Sequence, residues 1–214
     1  MTAAVQILED PEAVASAAAQ VVAAALNGGA QSLVLAGGST PRRMYEMLAR
    51  MDVEWGRVNL LFGDERCVAP TAPESNFRMV KDVLLGAVEP GGILRMPGEL
   101  GAEAAASLYD AAVGRLQPLD LVLLGMGPDG HCASLFPGDP ALLAPGWAVA
   151  VTNAPKPPRE RVSLTLGCFR NARRVIFLVT GADKAEAFRA AQRGEVPAGM
   201  IPGAEWFVDR AVAA

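Results

Sequence analysis

Short apolar runs alternate with longer stretches of helical character along most of the chain. Eight of these runs have the length and apolar content of strands. The predicted strands cover residues 32–36, 58–62, 93–96, 119–124, 147–152, 162–166, 175–180 and 206–209. Several are continuously apolar instead of alternating, which is typical of strands that helices bury on both faces.

The stretches between the runs predict helices. The first has clear limits, because Asp10 can cap a helix that begins with Pro11 in its first turn, and Asn27-Gly28-Gly29 can end it. The other predicted helices cover residues 41–50, 76–85, 100–116 and 183–193. No linker, repeat or low-complexity tract divides the chain, so we expect one catalytic domain over residues 1–214. The fold class is α/β with three layers, a mostly parallel sheet flanked by helices.

The composition narrows the class of protein. The chain has 214 residues, and its hydrophobic fraction of 51% suffices for a sizeable core. It lacks a run of about 18 apolar residues and a signal-peptide pattern, so we expect a cytoplasmic protein that does not enter a membrane. A net charge of −4 without a basic run argues against a nucleic-acid partner. Three cysteines without a CxxC pattern support neither a disulfide framework nor a zinc site.

Chemistry is expected where the strands end, because ligands of open α/β sheets bind beyond the carboxyl ends of the strands. The first unusual junction reads Gly37-Gly38-Ser39-Thr40-Pro41. Its glycines let the backbone approach a ligand, and the start of the next helix offers free N–H groups to a phosphate or another anion. A plain glycine turn with a serine or threonine cap is the alternative. The segment matches neither GxGxxG nor a Walker A loop, so dinucleotide or ATP binding lacks support.

Two further junctions carry charges. Asp64, Glu65 and Arg66 follow one buried run. On its own this segment is better explained as a solvated loop, but an arginine beside a cleft suits a phosphate or a developing oxyanion. Lys184 lies early in a predicted helix, where the helix dipole disfavours a cation. A phosphate between the lysine and the helix start would resolve that conflict, and simple exposure is the alternative.

The junction at residues 125–138 contains the one histidine of the chain, His131. Glycine or proline occupies six of its 14 positions, so the backbone turns sharply there. Histidine is the side chain best suited to acid/base work near neutral pH, and Asp129 can fix its tautomer. A lone histidine is usually structural or exposed, but its place in a glycine-built loop after a buried strand favours a functional role.

Five segments, in order, resemble the bacterial-type 6-phosphogluconolactonases. They are LAGGSTP at 35–41, FGDERCVAP at 62–70 with ESN at 74–76, LLGMGPDGHCASLFPG at 123–138, APKPP at 154–158 and LVTGADKAEA at 178–187. The resemblance extends from about residue 32 to residue 210. It implies hydrolysis of 6-phospho-D-glucono-1,5-lactone in the oxidative pentose phosphate pathway, with no metal or organic cofactor. It also implies a fold of the deaminase, ribose-phosphate isomerase and CoA-transferase-like type.

The resemblance also implies a role for each candidate residue. His131 would take a proton from the water that attacks C1 and later protonate the ring oxygen, with Asp129 or a backbone carbonyl orienting the imidazole. Arg66 would stabilise the oxyanion or the phosphate. The residues expected to bind substrate or phosphate are Gly37, Gly38, Ser39, Thr40, Asp64, Arg161 and Lys184. The expected partner is a phosphosugar lactone, bound by a monomer, with a weak homodimer as the alternative.

Three competing interpretations remain. Cys132 stands where the family commonly has threonine, and with Cys67 and His131 it suggests a metal site, but a fourth ligand is missing. Glucosamine-6-phosphate deaminases share much of the pattern but carry a catalytic carboxylate after the histidine, where this chain has Leu135-Phe136-Pro137. A sugar-phosphate sensor usually carries a fused DNA-binding helix-turn-helix, and this sequence has no basic segment of that kind.

Overall fold

The computed structural model describes residues 4–214, in which there are ten strands and seven α-helices. The strands are β1 (Val5–Leu8), β2 (Ser32–Leu35), β3 (Asn59–Phe62), β4 (Asp64–Arg66), β5 (Gly92–Leu94), β6 (Leu121–Leu124), β7 (Ala148–Val151), β8 (Arg161–Leu164), β9 (Arg174–Val179) and β10 (Glu205–Asp209). The helices are α1 (Pro11–Asn27), α2 (Ser39–Leu48), α3 (Asn76–Val80), α4 (Ala102–Gly114), α5 (Leu166–Asn171), α6 (Ala185–Gln192) and α7 (Arg210–Ala213).

Seven strands form one sheet in the order β1-β10-β9-β6-β2-β3-β5, and each neighbouring pair runs parallel. All four residues of β2 and all four of β6 are buried, which explains why these strands are continuously apolar in sequence. Helix α1 packs against helix α2 and against strand β10. The prediction of a mostly parallel sheet flanked by helices is confirmed.

A second, antiparallel sheet has the order β4-β8-β7. Two of its strands, β7 and β8, overlap the predicted strands at 147–152 and 162–166, but they do not belong to the main sheet. The third corrects the interpretation of residues 63–67 as a solvated loop. Asp64 and Glu65 are buried in β4, opposite Ser163 and Val162 of β8, because hydrogen bonds from the chain satisfy both carboxylates.

Other differences concern edges and element ends. Strand β1 was not among the predicted strands because it has one neighbour, β10, and its side chains at Val5 and Ile7 are 38% and 59% exposed. Helix α2 begins two residues earlier than predicted, at Ser39. The predicted helix at 100–116 is shorter, because a separate turn, Gly98–Leu100, precedes α4. Helix α1 begins as predicted, with the Asp10 carboxylate accepting a hydrogen bond at 2.8 Å from a backbone N–H of the first turn.

The topology explains where a ligand can bind. Strands β9, β6, β2 and β3 are consecutive in the main sheet and parallel, so their carboxyl ends lie along one edge. These ends lead into the four junctions at residues 180–184, 125–138, 37–41 and 63–67. Segments that are far apart in sequence are therefore neighbours at this edge.

Candidate active site

The four junctions surround one cleft of about 260 Å³. This volume is near the lower end for small-molecule sites and suits a single sugar ring better than a dinucleotide. The predicted site residues that line the cleft are Gly37, Gly38, Ser39, Thr40, Asp64, Arg66, His131, Arg161 and Lys184. Asp129, the remaining one, stands beside the cleft and contacts His131. The structure therefore brings all ten predicted residues to one place.

The junction at residues 37–41 presents the N-terminus of α2 to the cleft. Gly38 has a φ of 110°, in the left-handed region that favours glycine, and directly precedes Ser39. None of the described side chains caps this helix start, so its N–H groups stay available to an anion. A side chain at Gly37 would overlap the amide group of Asn76, so glycine is needed for this close approach.

Lys184 lines the cleft from the loop after β9. The hydroxyl oxygens of Thr40 and Thr180 lie 2.7 Å apart and join this loop to the start of α2. Lys184 is the last residue of a single turn, Ala182–Lys184, and directly precedes α6 instead of lying within the helix. Burial lowers the pKa of Lys184, and two nearby carboxylates oppose that effect in part. A half-buried ammonium beside free helix N–H groups is well suited to hold a phosphate.

The imidazole of His131 is held by Asp129. Nδ1 of His131 lies 2.5 Å from Oδ1 of Asp129, which also accepts a hydrogen bond from the backbone N–H of His131 at 3.2 Å. Burial acts to raise the pKa of Asp129, but the hydrogen bond and the charge of His131 bring it below its ordinary value. Asp129 is therefore a carboxylate near neutral pH and can keep the hydrogen on Nδ1, which leaves Nε2 to accept a proton.

A tight backbone loop sets the position of this imidazole. The N–H of Gly127 donates to the carbonyl of His131 at 2.9 Å, and the N–H of Gly130 donates to the carbonyl of Gly127 at 3.0 Å. Gly130 has a φ of 80°, and a side chain at Gly127 would overlap the imidazole itself. Glycine is thus required at both positions, for different reasons. Ala133, with a φ of 50°, also lines the cleft, and such backbone conformations concentrate at functional sites.

Asp64 is the acidic residue of the cleft. It is 7% exposed, and its carboxylate oxygens accept hydrogen bonds from Nδ2 of Asn76 at 3.0 Å and from Oγ of Ser134 at 2.7 Å. A carboxylate repels a phosphate but accepts hydrogen bonds from sugar hydroxyls, so Asp64 suits the sugar and not the phosphate. The contributions of Asn76 and Ser134 were not predicted. Both lie inside segments that carry the family resemblance, and that was the available signal.

Glu65 anchors the segment that carries Arg66, although no role was predicted for it. It is 4% exposed and accepts four hydrogen bonds of 2.7–3.0 Å, from the hydroxyl of Ser75 and from the backbone N–H groups of Arg66, Asn76 and Phe77. Burial raises the pKa of Glu65, and these four hydrogen bonds oppose the rise. Glu65 thereby joins β4 to the start of α3 and places residues of both on the cleft.

Arg161 is held firmly at the start of β8. Its Nε and Nη2 donate to the carbonyls of Pro158 and Lys156, each at 3.0 Å, and its guanidinium carbon lies 5.7 Å from the centre of the Phe136 ring. Burial lowers the pKa of Arg161, whereas the charge of Asp64 acts to raise it. The guanidinium is therefore a preorganised positive charge with donors remaining for a ligand.

Comparison with known proteins decides the family. A family model described as glucosamine-6-phosphate isomerases/6-phosphogluconolactonase matches residues 9–208. The chain belongs to this family. The 6-phosphogluconolactonase of Mycobacterium leprae is 35% identical, over 100% of this chain and 98% of the relative. The chloroplastic 6-phosphogluconolactonase 3 of Arabidopsis thaliana is 35% identical over 85% of this chain, which spans 64% of that relative. The solved structure of 6-phosphogluconolactonase from Thermotoga maritima has a TM-score of 0.89 and is 28% identical, over 97% of this chain and 100% of that one.

Within the glucosamine-6-phosphate isomerase/6-phosphogluconolactonase family, Phe136 bears on the choice of reaction. Its ring is buried and packs against the imidazole of His131, with 4.6 Å between the ring centres. A deaminase is expected to carry a catalytic carboxylate a few residues after the histidine, where this chain has Leu135-Phe136-Pro137. This family member instead has an apolar surface there, which cannot relay a proton.

Residues 4–214 contain no group of three or more histidine, cysteine, aspartate or glutamate side chains that could hold a metal ion. Burial raises the pKa of Cys132 to about 12 and that of Cys67 to about 11, so neither thiol is a reactive thiolate near neutral pH. None of the helices described is both long and apolar enough to cross a membrane.

Proposed function

We propose that this chain hydrolyses 6-phospho-D-glucono-1,5-lactone to 6-phosphogluconate, a step of the oxidative pentose phosphate pathway. The observation that carries the proposal is the Asp129–His131 pair at a cleft that also holds Lys184 and the free N-terminus of α2. The substrate is small and carries both a lactone ester and a phosphate. The cleft offers a general base for the ester and a positively charged site for the phosphate. Relatives at 35% identity over the whole chain bear the name of this activity.

The proposed chemistry begins with a proton transfer to His131. Nε2 takes a proton from a water molecule as the water oxygen attacks C1. C1 becomes tetrahedral, and its former carbonyl oxygen becomes an oxyanion. Asp129 stabilises the imidazolium that forms. When the tetrahedral species collapses, the bond from C1 to the ring oxygen breaks, and Nε2 returns the proton to that oxygen. The products are a carboxylic acid at C1, which ionises, and a free hydroxyl, so no covalent enzyme intermediate is needed.

The positive groups divide between the two ends of the substrate. Arg66 lies in the segment that Glu65 anchors, and its Nη1 donates to the carbonyl of Glu74 at 2.5 Å, which holds the guanidinium in the cleft. We assign Arg66 to the oxyanion. Lys184, the loop at residues 37–40 and Arg161 bind the phosphate. Asp64 accepts hydrogen bonds from hydroxyls of the sugar. Charge-assisted contacts are worth about 1.5–3 kcal/mol each, which favours the phosphorylated lactone over free gluconolactone.

The decisive experiment measures lactone consumption, with the lactone generated in place by oxidation of glucose 6-phosphate and the spontaneous hydrolysis subtracted. We expect a rate well above background for the wild type, and a rate near background for His131→Ala. No enzymatic rate for the wild type would reject the lactonase proposal. Full activity of His131→Ala would reject the base assignment alone. Release of ammonia from glucosamine 6-phosphate, measured on the same protein, would instead support the deaminase.

The buried apolar residues from α1 to α7 form one continuous cluster, which supports a single catalytic domain. A monomer, with a weak homodimer as the alternative, is the expected state, and light scattering at several protein concentrations would test it. A cytoplasmic location stays a prediction.

A further inference from the structure

The chain has only two tyrosines, and both place the hydroxyl at the carboxyl end of a strand that enters the site. Tyr45 lies in α2 and is fully buried. Its hydroxyl accepts a hydrogen bond from the N–H of Ala36 at 2.8 Å and donates to the carbonyl of Ala36 at 3.0 Å. Ala36 is the residue directly after β2 and directly before the glycines at 37 and 38.

Tyr109 repeats this arrangement one strand further along the sheet. It lies in α4 and is 1% exposed. Its hydroxyl accepts from the N–H of Phe62 at 2.8 Å and donates to the carbonyl of Phe62 at 3.0 Å. Phe62 is the last residue of β3, directly before Gly63 and the segment that carries Asp64.

In both places the hydroxyl bonds the backbone just beyond the point where the pairing with one neighbouring strand ends. The pairing between β2 and β6 covers Leu33 and Val34, and the pairing between β3 and β5 ends at Leu61. The backbone groups of Ala36 and Phe62 therefore lie beyond these ladders, in a buried region where an unpaired N–H or carbonyl is costly. One phenolic oxygen per strand satisfies a donor and an acceptor together. The chain beyond it is then free to leave the sheet.

We infer that Tyr45 and Tyr109 are positioning residues that divide the work of the site: Tyr45 sets the phosphate-binding loop at residues 37–40, and Tyr109 sets the segment Asp64–Arg66. The inference rests on the proposed function for the assignment of the two ends of the substrate. Burial raises the pKa of both phenols, so both hydroxyls keep their hydrogen at any working pH. The two residues act through the backbone, and the cleft itself is lined by the loops that they hold.

The two tyrosines are matched controls for one another, because Tyr45→Phe and Tyr109→Phe each remove one buried hydroxyl that bonds both the N–H and the carbonyl of a single residue. The Tyr109 hydroxyl also lies 3.4 Å from the carbonyl oxygen of Leu94. For Tyr45→Phe we expect the KM of the phosphorylated lactone and the inhibition constant of inorganic phosphate to rise about fivefold or more, with kcat within about twofold of the wild type. For Tyr109→Phe we expect kcat to fall about fivefold or more, with the inhibition constant of phosphate within about twofold. Unphosphorylated glucono-1,5-lactone should be hydrolysed more slowly by Tyr109→Phe only.

The same kinetic change in both variants, or wild-type kinetics in both despite equal losses of thermal stability, would overturn the inference. If a variant does not fold, amide hydrogen exchange of the wild type still tests the inference. Amide hydrogen exchange at Ala36 and Phe62 should be as slow as inside β2 and β3, and fast exchange at both would also overturn the inference. If the wild type showed no lactonase activity, the proposed function would fail. Hydrogen exchange and phosphate binding would still test the roles of the tyrosines.

Discussion

The carboxylate of Asp129 decides which nitrogen of His131 can take up a proton. In water an imidazole moves its hydrogen freely between its two nitrogens, but here Oδ1 of Asp129 lies 2.5 Å from Nδ1 and keeps the hydrogen there. The sequence left a choice between Asp129 and a backbone carbonyl as the orienting group. The geometry favours Asp129, because its carboxylate also holds the backbone N–H of His131.

Replacing Asp129 with asparagine tests this pairing. An amide can present an oxygen or an NH₂ group to Nδ1, so the tautomer is no longer enforced, and the imidazolium loses its counter-charge. We expect kcat to fall about 100-fold, with KM and thermal stability nearly unchanged. The matched control is Asp139→Asn, because Asp139 accepts a hydrogen bond from the backbone N–H of Ala141, whereas the imidazole of His131 bonds Asp129. Equal activity of the two variants would show that Asp129 shapes the turn without taking part in catalysis.

Lys184 predicts a pH dependence of phosphate binding. Only the ammonium form attracts a phosphate, and burial holds the pKa of Lys184 below the ordinary lysine value of about 10.4. As the pH rises, the charge and the affinity are therefore lost earlier than for an exposed lysine. Calorimetry with 6-phosphogluconate should show this loss for the wild type.

Three variants control the Lys184 prediction. Lys184→Arg should keep its affinity at the same pH values, because arginine stays charged. Lys184→Met should bind weakly at every pH, and Lys81→Met, at an exposed position, should behave as the wild type. If the wild-type affinity stays constant up to a pH near the pKa of an exposed lysine, the predicted direction of the Lys184 pKa is wrong.

At the scale of elements, the site depends on short segments that leave the main sheet in a defined way. Strand β4 is three residues long, and its buried Glu65 ties it to the first residues of α3. This connection keeps Arg66 and Asn76 on the cleft. A buried carboxylate with four partners is a better anchor than a neutral side chain, because hydrogen bonds to a charged acceptor are stronger.

Glu65→Ala should therefore lower both stability and activity. Four donors lose their acceptor, so we expect the free energy of unfolding to fall by about 2–4 kcal/mol, measured by urea denaturation. We also expect kcat/KM to fall by about tenfold or more, because Arg66 loses its fixed position. Glu74→Ala is the control: its side chain is exposed, and the carbonyl that Arg66 contacts is unchanged. If Glu65→Ala lost stability but kept the wild-type kcat/KM at low temperature, the positioning role would be wrong.

The elements that sequence patterns predicted well are those that the core determines. Strands β2, β6 and β9 are buried along nearly their whole length, so their apolar runs are unmistakable. Strand β1 was missed because an edge strand with exposed side chains has no such run. Strand β4 was missed because buried charges look like a solvated loop until their partners are known.

At the scale of the whole molecule, the cleft is lined by segments that range in sequence from residue 36 to residue 184. Binding at such a site stabilises the entire fold, since unfolding any of the segments destroys it. At a 6-phosphogluconate concentration of about 100 times Kd, we expect about 2.7 kcal/mol of added stability and a rise in Tm on the order of 5–10 °C. Scanning calorimetry would measure this. Gluconate without a phosphate should give a much smaller rise, and equal rises would contradict a phosphate site at Lys184.

The sequence by itself determined the α/β class, the four loops that carry chemistry and, through the resemblance of five ordered segments, the family. It could do so because burial and turn formation leave local signals: apolar runs, glycines and helix caps. Only the tertiary structure showed that Asp129 holds His131, that Asp64 is buried and accepts a hydrogen bond from Ser134, and that Glu65, Tyr45 and Tyr109 bond the segments around the cleft. The Asp129–His131 pair depends on the exact turn of one loop, and the other contacts join residues far apart in the chain or bury polar groups. None of these features leaves a periodic trace in the sequence.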